Sequence, residues 1–230
     1  MNKKNYLLDL NNSKKPFIIY KSDKGFDLYT DFSKKIILNN NNIEKFINKN
    51  NRLKLPYKET DLFIGFFGYE ILNNLIDVKI KKQKTINFPK GIFYKPETKI
   101  KLPNNLEYKK TRSLNSNDLF KININKKSYK VIFDKFKKKI KSGETYQIKI
   151  CTKYSNKSEI DALDFFSRLV KSNMAPEAFM IKDKNYSIIS CSPENLITKK
   201  NNFITTKPIA GTLKKTKKLN KNKALTFFRK

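Results

Sequence analysis

The sequence contains no histidine, and arginine occurs only at Arg52, Arg112, Arg168 and Arg229. Without histidine the chain lacks the side chain that most often moves protons near neutral pH. Sparse arginine counts against dedicated phosphate or base recognition, for which the guanidinium fork is the preferred group. Cysteine is limited to Cys151 and Cys191. Both fall in strand-like segments without metal-ligand spacing and read as reduced core thiols. No apolar run approaches the roughly 18–20 residues that a bilayer span requires. The N-terminal stretch MNKKNYLLDLNNSKK has an apolar stretch of only Tyr6 to Leu8, too short for a signal peptide. The expected location is the cytoplasm. Nothing resembles a nucleophile with a paired base, a Walker loop or a zinc site. Glu144, Glu177 and Glu194 are the acidic residues of interest in the patterned C-terminal half.

Lysine is abundant. Lys and Arg number 51 against 20 Asp and Glu, giving a net charge of +31 over 230 residues. Such a balance raises a nucleic-acid partner as one reading. The lysines are spread along the whole chain and accompany many Asn and Ile, while Ala and Gly are scarce. AT-rich codons produce that joint bias without any binding function. A basic nucleic-acid-binding module is therefore the rival class, and salt-sensitive sticking to polyanions is the expected behaviour. A hydrophobic content of 38% with 13% aromatics is enough for a core and argues against global disorder.

Pro16 to Leu38 reads as short strands, PFIIY, FDLYT and KKIIL, joined by turns at Ser22-Asp23-Lys24-Gly25 and around Ser33. Ile43, Phe46 and Ile47 form a short helical stripe. Asp61 to Tyr69, nearly all apolar, reads as a strand buried on both faces. Gly65 and Gly68 within it suggest a bulge or a close backbone approach. Lys79 to Asn125 reads as loop-rich, and a boundary falls near residues 110–122. Tyr129, Ile132, Phe133, Phe136 and Ile140 mark one helical face, and Gly143 marks its stop. Tyr146, Ile148 and Ile150 alternate as a strand. Ser158 and Asp161 precede a second helix whose buried face is Leu163, Phe166, Leu169 and Val170. Ala178–Ile181 and Tyr186–Ser190 form a hairpin about Asp183-Lys184-Asn185, and Phe203–Thr206 is a further strand. Helices interleaved with antiparallel strands indicate an α+β fold. The expected division is an N-terminal subdomain over 1–115 and a second domain over 122–230.

Ser192-Pro193-Glu194 reads by itself as a capped turn leaving a strand. Pro208-Ile209-Ala210-Gly211-Thr212 is a loop in which Gly permits close backbone approach and Thr supplies a hydroxyl. A loop of this kind can present amides to a carboxylate.

Four segments occur in order: Gly143-Glu144-Thr145-Tyr146-Gln147-Ile148, Asn173-Met174-Ala175-Pro176, Ser190-Cys191-Ser192-Pro193-Glu194, and Thr206-Lys207-Pro208-Ile209-Ala210-Gly211-Thr212. Together they resemble the chorismate-utilising enzymes, specifically component I of aminodeoxychorismate synthase and of anthranilate synthase. Gly65-Phe66-Phe67-Gly68-Tyr69-Glu70 resembles a further element of that family. The resemblance covers residues 61–212 well and 1–60 poorly. It implies an incomplete version of the anthranilate synthase component I-like fold. It also implies an amination of chorismate with magnesium as cofactor and a glutamine amidotransferase subunit as partner. The implied substrate-binding residues are Ile209, Ala210, Gly211 and Thr212. Ala210 stands where some members carry a nucleophilic lysine, so no covalent lysine intermediate forms there. The family's later Glu-His, Arg-Asn-Asp and magnesium carboxylate segments have no counterpart before Lys230. The expectation is a fragment that is inactive alone and holds no magnesium. The missing Leu-Leu-Glu-Ser element and the Asn-Met-Ala-Pro-Glu form lean toward aminodeoxychorismate synthase, of the p-aminobenzoate and folate pathway. Ala210 leans toward anthranilate synthase, of the tryptophan pathway.

Overall fold

The computed structural model describes residues 3–22, 24–49, 58–76, 88–106, 108, 120–158, 160–209, 211, 213–216 and 219–228. Asp23, Ala210, Thr212 and most of the 110–122 stretch lie outside the described residues. In chain order the elements begin with α1 (Lys3–Asn12), β1 (Phe17–Ser22), β2 (Gly25–Ile37) and α2 (Ile43–Lys49). Next come β3 (Ile64–Phe67), a 3-10 turn (Tyr69–Ile71), α3 (Leu72–Leu75) and β4 (Gly91–Leu102). Then follow β5 (Lys121–Ile122), α4 (Lys126–Lys141), β6 (Tyr154–Ser155) and α5 (Ala162–Asn173). The chain continues through β7 (Glu177–Lys182), β8 (Ser187–Ser192), β9 (Thr198–Lys200), β10 (Phe203–Thr205) and α6 (Lys221–Phe228). Helices mixed with antiparallel sheets make this an α+β protein.

Contacts divide the chain into two units, Met1–Tyr108 with Ala162–Lys230, and Lys109–Asp161. The first unit is built on a six-stranded antiparallel sheet in the order β3-β4-β2-β1-β7-β8. Successive side chains of a strand point to opposite faces, and this sheet buries both. Phe17, Ile19, Phe26, Leu28, Ala178 and Met180 pack on one face with Leu7 and Leu10 of α1 and Leu163 and Phe166 of α5. Ile18, Tyr29, Ile92, Tyr94 and Ile181 pack on the other. The sheet takes strands from both sides of residues 110–122, since Ile18 of β1 lies opposite Ile181 of β7.

The second unit holds α4 and the two-stranded β5–β6 ladder. Asn125 caps α4 by accepting from the Ser128 amide at 2.8 Å. Gly143, with φ +77°, ends it. Its amide reaches the Ile140 carbonyl at 3.1 Å, while the Glu144 amide reaches that of Lys139 at 3.0 Å. The apolar face marked by Tyr129, Ile132, Phe133, Phe136 and Ile140 is present, but no residue of α4 is fully buried.

Several expectations are corrected. FDLYT and KKIIL are one strand, β2, and the turn around Ser33 is a register shift between Phe32 and Lys34. Asp31 takes φ +53° there, and β4 pairs along both halves. The loop-rich expectation for 79–125 misses β4, a central strand. Its Pro96 lies opposite Phe32 at the irregularity, a place where a strand tolerates a missing N–H. Asp61–Tyr69 supplies only β3, a half-buried edge strand. The close approach inferred at Gly65 is real, because a Cβ there would lie 1.9 Å from the Ile92 carbonyl oxygen. Tyr146–Ile150 forms no strand, and Tyr146 is 91% exposed. Alternation without a neighbouring strand or a buried face does not make a ladder. Cys151 is exposed rather than in a core strand. Ser158 closes on the Asn156 carboxamide, and α5 starts only at Ala162.

Candidate functional site

The end of the β7–β8 hairpin collects three of the four ordered segments. α5 ends at Asn173, and Met174 turns the chain with φ +48° while its amide returns to the Val170 carbonyl at 3.0 Å. The Ala175 carbonyl that follows accepts from the Lys21 ammonium of β1. Glu177 then opens β7 directly across from Ser192, the last residue of β8.

Ser192 fixes the Ser-Pro-Glu turn. Its Oγ donates to the Glu194 carbonyl at 2.8 Å and accepts from the Glu194 amide at 3.4 Å. No helix follows, so the segment is a capped turn leaving a strand. Glu194 Oε1 accepts from the Ile209 amide at 3.2 Å. The turn is thereby tied to the Pro-Ile-Ala-Gly-Thr loop.

Glu177 is engaged at both oxygens. Oε2 accepts from the Tyr20 hydroxyl at 2.5 Å, and Oε1 accepts from Asn195 Nδ2 at 2.9 Å. Asn195 Oδ1 accepts in turn from the Thr198 hydroxyl at 3.1 Å. Burial first, and Glu177 second, push the Tyr20 hydroxyl well above the ordinary phenol range. Burial also pushes the half-buried Cys191 thiol up, with Lys21 working against it.

Of the expected substrate-binding residues, Ile209 is half exposed at the base of the loop, at 51%. A Cβ on Gly211 would meet the Phe228 ring of α6 at 3.1 Å, so α6 leaves room for glycine there. Ala210 and Thr212 lie outside the described residues. One expected segment does not join this cluster. Gly65–Glu70 begins on β3, the opposite edge of the sheet from β8. Gly143–Ile148 belongs to the other unit. There Glu144 is an exposed turn residue, held below the usual carboxylate range by hydrogen bonding to Lys139.

Sequence reasoning missed Tyr20, Lys21 and Asn195. Tyr20 and Lys21 are 157 and 154 residues from their partners, and no local pattern marks such pairs. A magnesium ion needs several oxygen ligands around one point. Among the described residues no group of three His, Cys, Asp or Glu side chains lies close enough to hold a metal. The Glu177 and Glu194 carboxylates are already bound to donors of the chain, so these residues do not fit a magnesium site. No helix among the described residues is long and apolar enough to cross a membrane.

The site is thus a capped Ser-Pro-Glu turn bonded to a Pro-Ile-Ala-Gly-Thr loop on an α+β scaffold. The chain belongs to the chorismate binding enzyme family, whose profile matches residues 3–227. It is 23% identical over 188 residues to an anthranilate synthase component I-like protein of Synechocystis, covering 71% of this chain and 39% of that one. It is 36% identical over 72 residues to aminodeoxychorismate synthase component 1 of Salmonella typhimurium, covering 31% and 16%. It is 32% identical over 118 residues to anthranilate synthase component 1 of Buchnera aphidicola, covering 50% and 22%. The matches thus span well under half the length of each of these relatives.

Proposed function

We propose that the chain is the part of a chorismate-aminating synthase that carries the substrate loop. The first reading is aminodeoxychorismate synthase component I, which joins ammonia to chorismate to give 4-amino-4-deoxychorismate. The second is anthranilate synthase component I, favoured by Ala210 and by the similarity to anthranilate synthases. The observation that carries the proposal is the Glu194–Ile209 hydrogen bond, which joins two of the segments that resemble this family.

With its amide taken by Glu194, Ile209 holds the loop and offers chorismate an apolar side chain. The carboxylate of the substrate is left to the following residues, 210–212, where Gly211 permits a close approach. On this reading the fold is the anthranilate synthase component I-like fold, with residues 122–230 contributing the first part of its chorismate-binding domain. Ammonia comes from a glutamine amidotransferase subunit. The magnesium that the resemblance implies would be held by carboxylates that these residues do not supply.

Titration of the chain with chorismate, with and without magnesium, tests this reading. Saturable binding that Gly211→Val abolishes supports it, and absence of saturation rejects it. With no histidine in the chain, binding without turnover is expected in ammonium and magnesium. Any product decides between the readings: 4-amino-4-deoxychorismate supports the first, anthranilate the second. Tight, salt-resistant binding to one nucleic-acid sequence would instead support the rival class.

A further inference from the structure

We propose that Glu177 is a positioning residue for the Pro-Ile-Ala-Gly-Thr loop, acting through Asn195 and Glu194. This rests on the reading of that loop as the substrate loop.

Residues 194–197 have no regular secondary structure, yet Glu194 must be aimed to meet the Ile209 amide. Two side-chain clamps do the aiming. Ser192 closes the first end of the turn on the Glu194 backbone. Asn195 closes the second, and its carboxamide is fixed at both ends. Its Nδ2 can only donate, and faces the Glu177 carboxylate; its Oδ1 can only accept, and faces the Thr198 hydroxyl. Glu177 itself is held by the Tyr20 hydroxyl on its other oxygen. A carboxylate bonded to two donors in this way fixes them more strongly than a neutral acceptor does. The relay therefore runs from Tyr20 in β1 through Glu177 in β7 and Asn195 to Glu194, and ends on the loop amide.

A purely structural role for Glu177 would be to staple β7 to its neighbours. The ladders make that unnecessary. β1 and β7 are registered over four residue pairs and β7 and β8 over six, all by backbone. Loss of the Glu177 side chain should leave those strands in place and free only the turn and the loop. The sequence marks Glu177 as an acidic residue of interest after Asn173-Met174-Ala175-Pro176, but it does not show its partners, Tyr20 and Asn195.

Backbone hydrogen exchange, read residue by residue by NMR on the whole chain, tests the relay. Glu194→Ala removes the acceptor and is expected to speed exchange of the Ile209 amide by about tenfold. Glu177→Ala is expected to speed it severalfold, while the amides of Ile18 and Ile181 keep their rates. Glu177→Gln keeps an acceptor for Asn195 and a donor for the Tyr20 oxygen, so it should restore slow exchange. Tyr20→Phe, which leaves the carboxylate in place, should give an intermediate rate and serves if Glu177→Ala does not fold. An Ile209 rate that responds to Glu194→Ala but not to Glu177→Ala or Tyr20→Phe overturns the proposal. So does a loss of protection that spreads equally to Ile18 and Ile181, which would make Glu177 a general structural residue. Chorismate titration of the same variants is read separately. Weaker binding in Glu177→Ala, in step with faster Ile209 exchange, ties the relay to the substrate. Absence of chorismate binding by the unsubstituted chain rejects the functional reading and leaves the exchange result to decide the relay.

Discussion

The Tyr186 hydroxyl donates to Asp183 Oδ2 at 3.0 Å, across the turn of the β7–β8 hairpin. The same oxygen accepts from the Tyr94 hydroxyl of β4 and pairs with the Lys35 ammonium of β2. The Lys184 amide binds the other oxygen at 2.7 Å. Tyr94 and Lys35 thus anchor the tip of the hairpin to β4 and β2, strands it does not border in the sheet.

Burial alone would raise the Asp183 carboxyl, but hydrogen bonds from Lys35, Tyr94, Lys184 and Tyr186 outweigh it and bring it down to about 2. The folded group titrates below an unfolded aspartate, near ~3.9. Its contribution is therefore complete above that value and is lost as pH falls through about 2. Urea midpoints measured from neutral pH downward should fall over that window. Asp183→Asn should cost about 1.5–3 kcal/mol at neutral pH, and its midpoint should lack this part of the acid dependence.

The tyrosines of the cluster give the opposite sign. Burial first, opposed by Tyr94 and aided by Asp183, pushes Tyr186 up to about 12, and Tyr94 is driven higher still. Burial and Asp27 also push Tyr29 up to about 12. These groups fold as neutral phenols, so their contribution is complete below ~10, the unfolded value, and is lost as pH rises through about 12. Ultraviolet titration of the tyrosines should be biphasic, with the late phase moving to lower pH in urea.

Gly65→Ala should weaken the β3 edge. The new methyl would fall 1.9 Å from the Ile92 carbonyl oxygen, so backbone must shift. The expected loss is about 1–3 kcal/mol. Exchange of the Ile64 and Phe66 amides should rise in this variant, while β1 and β7 amides hold their rates.

Phe166→Ala should be the most damaging single truncation of α5. The ring is fully buried and meets Phe26 edge-on at a centroid distance of 6.0 Å. A loss of about 3–5 kcal/mol is expected from the cavity and the lost transfer energy. Denaturant titration of the variant measures it directly.

The β7–β8 hairpin and the helices α4 and α5 were legible because each carries its own period. Ala178–Ile181 and Tyr186–Ser190 alternate around Asp183-Lys184-Asn185, and Leu163, Phe166 and Val170 recur at helical spacing. β4 was hidden because Pro96 and the interspersed Lys95, Lys99 and Lys101 resemble loop composition. Tyr146–Ile150 misled for the converse reason, since alternation indicates which face a strand would bury and does not supply a neighbour. The order of the segments around Pro176, Ser192 and Ile209 was readable, and so was the family. That Glu194 holds the Ile209 amide was not readable, because hydrogen bonds between distant segments leave no trace in local spacing.

The place of β1 in the sheet has a consequence for how the chain folds. Its one neighbour, β2, is next in sequence, and β4 is available once Leu102 has been made. Its other neighbour, β7, does not begin until Glu177. Contacts between such distant positions close slowly, because loop entropy is lost before the ladder forms. Through that interval the outer edge of β1, Phe17 to Tyr20, presents unpaired backbone groups on an apolar strand. This is the stage at which a second nascent copy could add its own strand in place of β7, so misassembly should be governed by synthesis rate and concentration more than by final stability.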